Sequence, residues 1–181
     1  NNFHGRTTTI VGFSSSEQYR EGFGPFAGGY RLLPFGDADA VAAAMTDRTV
    51  AVLVEPIQGE AGIVVPPQGY LAQLRDITTR HGALLLVDEI QSGLGRTGAL
   101  FAFQHDGVRP DLVTVGKALS GGFYPVSGIL ADSALMNVFK PGDHGSTFGG
   151  NPLGAAVARE ALKVLVEERM IENSAKLGAY A

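Results

Sequence analysis

Four short apolar runs constrain the fold of this chain more than any other feature, because each has the length and composition of a β-strand. They are residues 49–54, 83–87, 112–116 and 126–131. The last three runs (ALLLV, LVTVG and VSGILA) give the signal of buried strands in a parallel sheet, whose two faces are both covered by helices. Residues 69–81 carry apolar side chains at helical spacing. Strands that alternate with helices predict an α/β domain with a mainly parallel sheet and flanking helices.

The remaining segments predict shorter elements. Residues 7–13 are rich in β-branched side chains and predict another strand, and residues 14–36 predict a long irregular stretch. Residues 37–45 predict a short helix. Asn151 is expected to cap a final long helix that has Pro152 at its first position.

Two ionisable residues follow two of these apolar runs directly. Asp88 comes after residues 83–87, and Lys117 comes after residues 112–116. Because ligands of open α/β sheets gather at the carboxyl ends of the strands, both side chains are expected at one edge. An amine that holds an aldehyde as a Schiff base, and a carboxylate that keeps a ring nitrogen protonated, are what a pyridoxal phosphate (PLP) enzyme needs. Taken alone, each has an ordinary alternative: a solvated surface lysine and a turn-capping aspartate.

Composition excludes several classes of protein. The 181 residues suffice for one domain with a substantial core, and the net charge of −4 gives no reason to expect nucleic acid or an anionic membrane as a partner. The absence of cysteine excludes disulfides and thiolate metal sites. No apolar run approaches the roughly 20 residues of a membrane span. A cytoplasmic enzyme is therefore expected.

Familiar phosphate and metal motifs are absent. A phosphate-binding P-loop around Lys117 would need glycine at position 111 and serine or threonine at 118, but the chain has Asp111 and Ala118. The four histidines show no metal-ligand spacing, so ordinary polar roles and no metal site are expected for His4, His81, His105 and His144. The 25 glycines cluster between the apolar runs, which indicates either turns or loops built around a ligand.

Four motifs in order resemble the class III aminotransferases of PLP fold type I. They are residues 54–60 (VEPIQGE), 87–93 (VDEIQSG), 116–122 (GKALSGG) and 144–152 (HGSTFGGNP). The resemblance runs from Phe3 to the end of the chain. It implies PLP as cofactor, an amino acid and a 2-oxo acid as substrates, and the large domain of that fold.

The segments that flank these motifs are most similar to the ornithine aminotransferase group. They are residues 22–26 (GFGPF), 124–127 (YPVS) and 140–147 (KPGDHGST). This likeness implies transfer of the δ-amine of ornithine to 2-oxoglutarate, giving glutamate 5-semialdehyde and glutamate, as in proline biosynthesis and arginine catabolism. Enzymes of the same class that act on acetylornithine or 4-aminobutyrate share the core motifs and remain the alternative.

The resemblance also assigns roles to individual residues around the cofactor. Lys117 is implied as the Schiff-base lysine and proton carrier, and Asp88 as the partner of the pyridinium nitrogen. Gln91 is implied as a donor to the phenolic oxygen of PLP, the alternative being a turn-stabilising amide. Phe3 is implied to stack on the cofactor ring, although an isolated phenylalanine is more often part of a core.

Further roles concern the substrate and a second subunit. Ser146 and Thr147 resemble hydroxyls that contact the cofactor phosphate of the neighbouring subunit, which implies a homodimer. Arg6 resembles the arginine that binds a substrate carboxylate, and Glu60 the glutamate that pairs with a later arginine; an ordinary surface ion pair is the alternative for both. Glu55 looks more like a structural carboxylate at the end of the sheet.

The family chain is more than twice as long as this one. Residues 1–166 are expected to form part of the PLP-binding large domain, and residues 167–181 the start of a linker into a C-terminal small domain. Residues 160–181 are expected to form one helix that leads there. A truncated or split-gene fragment without activity of its own, or one complemented by an N-terminal half, is the alternative from a different functional class.

Overall fold

The computed structural model describes residues 1–180 and is an α/β structure built on one four-stranded sheet. The strands are β1 (Ala51–Val54), β2 (Leu84–Asp88), β3 (Leu112–Val115) and β4 (Gly128–Ala131), in the order β1-β2-β3-β4. The first three strands are parallel, and β4 pairs with β3 in the antiparallel sense. The predicted α/β fold with a mainly parallel sheet is confirmed.

The register of the sheet brings several polar residues to one edge. Val54 pairs with Val87, and Asp88 pairs with Thr114. The carboxyl ends of β1, β2 and β3 therefore lie side by side, and Glu55 and Lys117 follow within two residues of β1 and β3, respectively. The edge at which the sequence placed a ligand site is thus formed by neighbouring strands.

Helix α4 (Tyr70–Arg80) forms the main core with the sheet. Leu74 of the helix and Leu85 of β2 are completely buried, and apolar burial of this kind is the principal stabilising contribution to such a core. Gly69 precedes the helix in the left-handed conformation with φ of 77°, which glycine adopts without steric strain. Helix α3 (Ala38–Ala44) packs on the same core.

The prediction of a strand at residues 7–13 is wrong. The segment forms the short helix α1 (Thr8–Gly12), with Val11 N donating to Thr7 O over 2.8 Å. Helix α2 (Glu17–Arg20) follows. β-Branched residues favour strands mainly through packing against a neighbouring strand, and here the backbone is satisfied locally instead. The predicted helix at residues 37–45 is confirmed as α3, whose first turn is capped by Asp37 through a 2.8 Å bond from Ala40 N.

The apolar run at residues 126–131 is not a buried parallel strand. It forms β4 at the edge of the sheet, where Ile129 is 43% exposed and Leu130 is 50% exposed. An apolar run identifies a strand but carries no information about its direction or its place in the sheet. The short helix α5 (Ser133–Met136) follows.

The C-terminal region contains two helices rather than one. Asn151 caps α6 (Pro152–Glu167) by accepting a 2.8 Å hydrogen bond from Gly154 N, as predicted. The single helix predicted over residues 160–181 is wrong, because the chain breaks at Arg169, which has φ of 54°, before α7 (Met170–Tyr180) begins. The domain boundary predicted between residues 166 and 167 stays a prediction. Within residues 1–180, no helix has the length and apolar character that crossing a membrane requires.

Candidate active site

The carboxylate of Asp88, at the end of β2, has three hydrogen-bond partners at the sheet edge. The residue is only 6% exposed. Its Oδ1 accepts hydrogen bonds from Thr114 Oγ1 at 2.8 Å and from Ile90 N at 3.1 Å. Its Oδ2 lies 2.8 Å from Nδ1 of His4. Three different segments of the chain therefore fix the position of one carboxylate.

These contacts decide the charge of Asp88. Burial raises the pKa of the carboxyl group, but hydrogen bonds from His4, Ile90 and Thr114 outweigh it and hold the pKa below its ordinary value of 3.8. Asp88 is therefore ionised at neutral pH. Because a carboxylate oxygen can accept two hydrogen bonds, Oδ2 retains capacity for one more donor. A buried anion with one open acceptor position suits the N–H of a protonated pyridine ring, so the residues present fit PLP.

Lys117 lies on the neighbouring strand end, at the same edge of the sheet. It follows β3 and opens a 3₁₀-helix (Lys117–Ser120) in the left-handed region, with φ of 42°. Strained backbone of this kind costs of order 1–3 kcal/mol and is concentrated at functional sites. Lys117 is exposed and lies three residues beyond Thr114, which pairs with Asp88 in the sheet. Three residues of extended chain span about 10 Å, so Lys117 is about that far along the chain from the partner of Asp88. An amine and a carboxylate thus flank one stretch of this edge.

The N-terminal segment is fastened to the same edge. Phe3 N donates to Oε2 of Glu55 at 3.0 Å, and the side chain of Asn2 bonds Phe13 O at 3.0 Å and Ser15 N at 2.9 Å. Glu55 is 4% exposed, and burial raises its pKa despite the bond from Phe3. Its predicted structural role agrees with these contacts, because the carboxylate holds the segment that carries Phe3.

Arg6 lies against aromatic rings at the surface of this segment. Its guanidinium carbon is 4.3 Å from the ring centroid of Tyr19 and 5.6 Å from that of Phe3. These distances are within the range of cation–π attraction. The contacts preorganise an exposed guanidinium close to Phe3, which is compatible with the predicted binding of a substrate carboxylate.

Gln91 and Glu60 contact each other across two loops. Gln91 Nε2 donates to Glu60 Oε1 at 3.2 Å. Gly59 makes this approach possible, because a Cβ at that position would overlap the Gln91 amide and lie 2.8 Å from its nitrogen. Since an amide carries two donor hydrogens, Gln91 keeps one for the predicted contact with the phenolic oxygen of PLP. That role and the one predicted for Glu60 stay predictions.

Ser146 and Thr147 lie in a fully exposed loop, residues 140–150. The hydrogen bonds of this loop are local: Ser146 Oγ accepts from Gly149 N at 2.9 Å, and Lys140 N donates to Asp143 at 2.8 Å. The structure therefore does not join these hydroxyls to Asp88. Exposure is compatible with a role toward another subunit, which stays a prediction.

The sequence alone did not identify two residues of the site, His4 and Thr114. His4 was expected to have only an ordinary polar role, yet it contacts Asp88 with a side chain that is 6% exposed. Thr114 was counted as part of an apolar run. The usable signals were the polar Thr114 within an otherwise apolar strand and the position of His4 between Phe3 and Arg6.

Three other features of the chain do not add to this site. Residues 1–180 contain no group of three or more histidine, aspartate or glutamate side chains that could hold a metal ion. Buried Glu89 accepts hydrogen bonds from Ser92 Oγ at 2.7 Å and Phe103 N at 2.9 Å, so it braces the adjacent loop. Two surface cavities, of about 650 and 430 Å³, lie beside α7 and α6 and are not lined by Asp88 or Lys117.

Comparison with known proteins decides the family. The sequence model of the class-III aminotransferases matches residues 1–181. The chain belongs to the class-III aminotransferase family. This aminotransferase chain is 58% identical over 180 residues to the ornithine aminotransferase of Bordetella pertussis, covering 99% of the chain and 44% of that protein. It is 51% identical to the ornithine aminotransferase of Brevibacillus brevis, of which it covers 45%. The chain thus spans less than half the length of these relatives.

Solved structures of the family show the same fold. The ornithine aminotransferase of Toxoplasma gondii, whose active site is described with partial occupancy of PLP, superposes with a TM-score of 0.97 at 46% identity. The match covers 99% of this aminotransferase chain and 42% of that one. An acetylornithine aminotransferase from Elizabethkingia anophelis is 48% identical over 82% of this chain and 39% of its own, with a TM-score of 0.79. Identity to these two structures therefore does not separate the two substrate groups.

Replacing Thr114 with valine is expected to weaken the anionic state of Asp88. The wild-type carboxylate contributes stability above its unfolded-state pKa near 3.8, and this is lost as pH falls through the lower folded-state pKa. Removing the hydroxyl donor should raise that folded-state pKa and cost about 1 kcal/mol of unfolding free energy at neutral pH. The loss should shrink below the unfolded-state pKa. Denaturant unfolding across pH tests this, with Thr114→Ser as the control that keeps the hydroxyl; an equal loss at every pH would contradict it.

Proposed function

We propose that this chain forms part of the catalytic domain of a PLP-dependent aminotransferase that removes the δ-amino group of ornithine. The observation that carries the proposal is the buried, ionised Asp88 at the end of β2, with Lys117 following the neighbouring strand. The δ-amine would pass to a 2-oxo acid, with 2-oxoglutarate as the expected acceptor. The products would be glutamate 5-semialdehyde and glutamate.

The residues that would hold PLP are distributed along the described edge. Asp88 would accept from the ring nitrogen through the open position on Oδ2. Gln91 has a donor hydrogen left for the phenolic oxygen, and Phe3 supplies an aromatic ring on the segment fastened to Glu55. When bound, PLP supplies an aldehyde that receives the amino group and a ring that withdraws electrons from the reacting carbon.

The chemistry left to this chain is mainly proton transfer and charge stabilisation. Lys117 Nζ is the basic group that would remove a proton from the δ-carbon of ornithine and carry it to the carbon that receives the amino group. Asp88 remains an anion and so stabilises positive charge on the ring nitrogen throughout. The left-handed backbone at Lys117 fixes the point from which its flexible side chain extends. Lys117 would therefore act as a mobile base, and Asp88 as a fixed counter-charge.

Similarity to ornithine aminotransferases supports the choice of ornithine. The Bordetella pertussis and Brevibacillus brevis proteins of that name are 58% and 51% identical to this chain. An acetylornithine aminotransferase is the second candidate, because the Elizabethkingia anophelis structure is 48% identical. The two substrates differ at the α-nitrogen, which is a free cation in ornithine and a neutral amide in acetylornithine.

Steady-state kinetics of the whole protein test the substrate. With 2-oxoglutarate as acceptor, kcat/KM should be at least about tenfold higher for ornithine than for acetylornithine or 4-aminobutyrate, a difference of about 1.4 kcal/mol in transition-state binding. Glutamate 5-semialdehyde should appear in step with glutamate. A higher kcat/KM for the acetylated substrate would overturn the ornithine assignment while leaving the aminotransferase assignment intact.

Replacing Arg6 with lysine is expected to raise KM more than it lowers kcat. We propose that Arg6 binds a substrate carboxylate, because its guanidinium is preorganised beside Tyr19 and Phe3. Lysine keeps the charge but loses the bidentate fork and the stacking, so KM for ornithine should rise about tenfold, as for loss of one charge-assisted hydrogen bond. Arg31→Lys, at an exposed position in the irregular stretch, is the matched control. An unchanged KM would exclude this role for Arg6.

A homodimer is also part of the proposal. The exposed loop that carries Ser146 and Thr147 supports it, because within residues 1–180 the Ser146 hydroxyl bonds locally, accepting from Gly149 N. Glu60, exposed and bonded to Gln91, would pair with an arginine during one half of the reaction. The cytoplasmic location stays a prediction, as does the alternative of a fragment without activity of its own.

A further inference from the structure

We propose that His4 is a positioning residue that acts through Asp88, donating from Nδ1 to Oδ2 so that a single acceptor position on this carboxylate is left for the ring nitrogen of PLP. The inference rests on the proposed function, because it concerns the same site. It goes beyond it by assigning a role to a histidine that the reaction chemistry does not require. His4 would touch neither the substrate nor the reacting atoms.

The first step is a count of acceptor positions on Asp88. A carboxylate offers about four lone-pair positions, two on each oxygen. Both positions on Oδ1 are used, by Ile90 N at 3.1 Å and Thr114 Oγ1 at 2.8 Å. One position on Oδ2 is used by His4 at 2.8 Å. One position remains, and its direction is set by the imidazole that occupies the other.

The second step concerns the proton between the two side chains. Asp88 is an anion with no hydrogen to donate, so the hydrogen of this contact has to lie on Nδ1 of His4. The charged groups that face the imidazole are the carboxylates of Asp88 and Glu55. Asp88 lies 2.8 Å from Nδ1 and so favours a hydrogen on that nitrogen. Nδ1–H is therefore the state that the surroundings stabilise.

The third step concerns the rigidity of His4. Its side chain is 6% exposed, and its ring centroid lies 6.1 Å from that of Phe13. The preceding residue is held by the bond from Phe3 N to Glu55, and Asn2 is bonded to two further backbone groups. The imidazole therefore approaches Asp88 from a fixed direction, as a residue that positions a binding group must.

The experiment measures PLP affinity in the whole protein, with a conservative variant as control. The asparagine amide in His4→Asn places an N–H donor close to the position of Nδ1, whereas His4→Leu places none there. After the cofactor has been removed, the dissociation constant for PLP is measured by titration. His4→Leu should raise it about tenfold, and His4→Asn by less than about threefold. Equal weakening in both variants would overturn the proposal.

A second background separates positioning from simple structural support. In Asp88→Ala protein, His4 has no carboxylate to orient, so adding His4→Leu should change the PLP dissociation constant by less than about twofold. A further tenfold increase in that background would show that His4 acts independently of Asp88 and would overturn the proposal. A failure of the proposed function would give a different result. In that case Asp88→Ala alone would leave the PLP dissociation constant unchanged.

Nitrogen NMR of the imidazole keeps the proposal testable if a variant fails to fold. In cofactor-free wild-type protein, the Nδ1 signal of His4 should carry a directly bonded hydrogen, and that signal should shift in Asp88→Asn protein. A His4 ring with its hydrogen on Nε2 alone would overturn the proposal. His105, which is exposed and whose Nε2 lies 3.1 Å from Thr97 Oγ1, provides an internal reference in the same spectrum.

Discussion

Replacement of Lys117 with alanine is expected to lower kcat for transamination in the whole protein by about four orders of magnitude. Lys117 is the basic residue that follows β3 at the edge where Asp88 lies. Positioned proton transfer contributes up to about 10⁴-fold to enzymatic rates, and alanine removes the base entirely. Steady-state kinetics with ornithine would measure the loss. The visible absorption of the lysine-bound cofactor should disappear in the same variant.

The matched control for this variant is Lys163→Ala. Lys163 is exposed on α6 and pairs with Glu160 and Glu167 on the same helix, so its loss should leave kcat within about twofold. A small amine added to the Lys117→Ala protein should restore part of the rate, because it can supply the missing base. Retention of full activity by Lys117→Ala would refute the assigned base.

Replacement of Asp88 with asparagine should lower kcat/KM for ornithine by about 10²- to 10³-fold. The amide has nearly the same shape, but it is neutral and cannot balance a positive ring nitrogen. Removal of one preorganised electrostatic contact of this kind typically costs that much. The wild-type carboxylate is 6% exposed and has a lowered pKa, so its charge is present at every pH at which the enzyme would be assayed.

The control for Asp88→Asn is Asp76→Asn, an exposed position on α4, which should leave kcat/KM unchanged. The nitrogen NMR signal of labelled PLP provides a direct readout of the charge. In wild type the ring nitrogen should be protonated at neutral pH, and in Asp88→Asn it should lose its proton. A protonated ring in the variant would mean that another group supplies the counter-charge.

The parts of the fold that depend on hydrophobic pattern could be predicted from sequence. Helices α3 and α4 and strands β1 to β3 lie within a few residues of the predicted ranges, because burial against one core imposes a regular spacing of apolar residues. The placement of Asp88 and Lys117 at one edge of the sheet was also predictable, since each follows an apolar run, whereas their roles stay predictions. Local rules sufficed wherever the residues that decide the structure are neighbours in sequence.

The remaining errors concern features that depend on residues distant in the chain or that have no local sequence marker. Residues 7–13 have strand-type composition but form a helix, whose backbone groups bond locally instead of pairing with another strand. The contact between His4 and Asp88 joins residues 84 positions apart, so no local sequence pattern predicts it. The direction of β4 depends on its pairing with β3. The break at Arg169 has no glycine or proline to mark it.

A crystal structure of the whole protein grown with PLP tests the central claim most directly. The account predicts that the ring nitrogen lies within hydrogen-bond distance of Asp88 Oδ2, and that Lys117 Nζ is bonded to the aldehyde carbon at the opposite side of the same ring. A ring nitrogen bonded to another side chain, or an aldehyde carbon joined to a different lysine, would contradict the account.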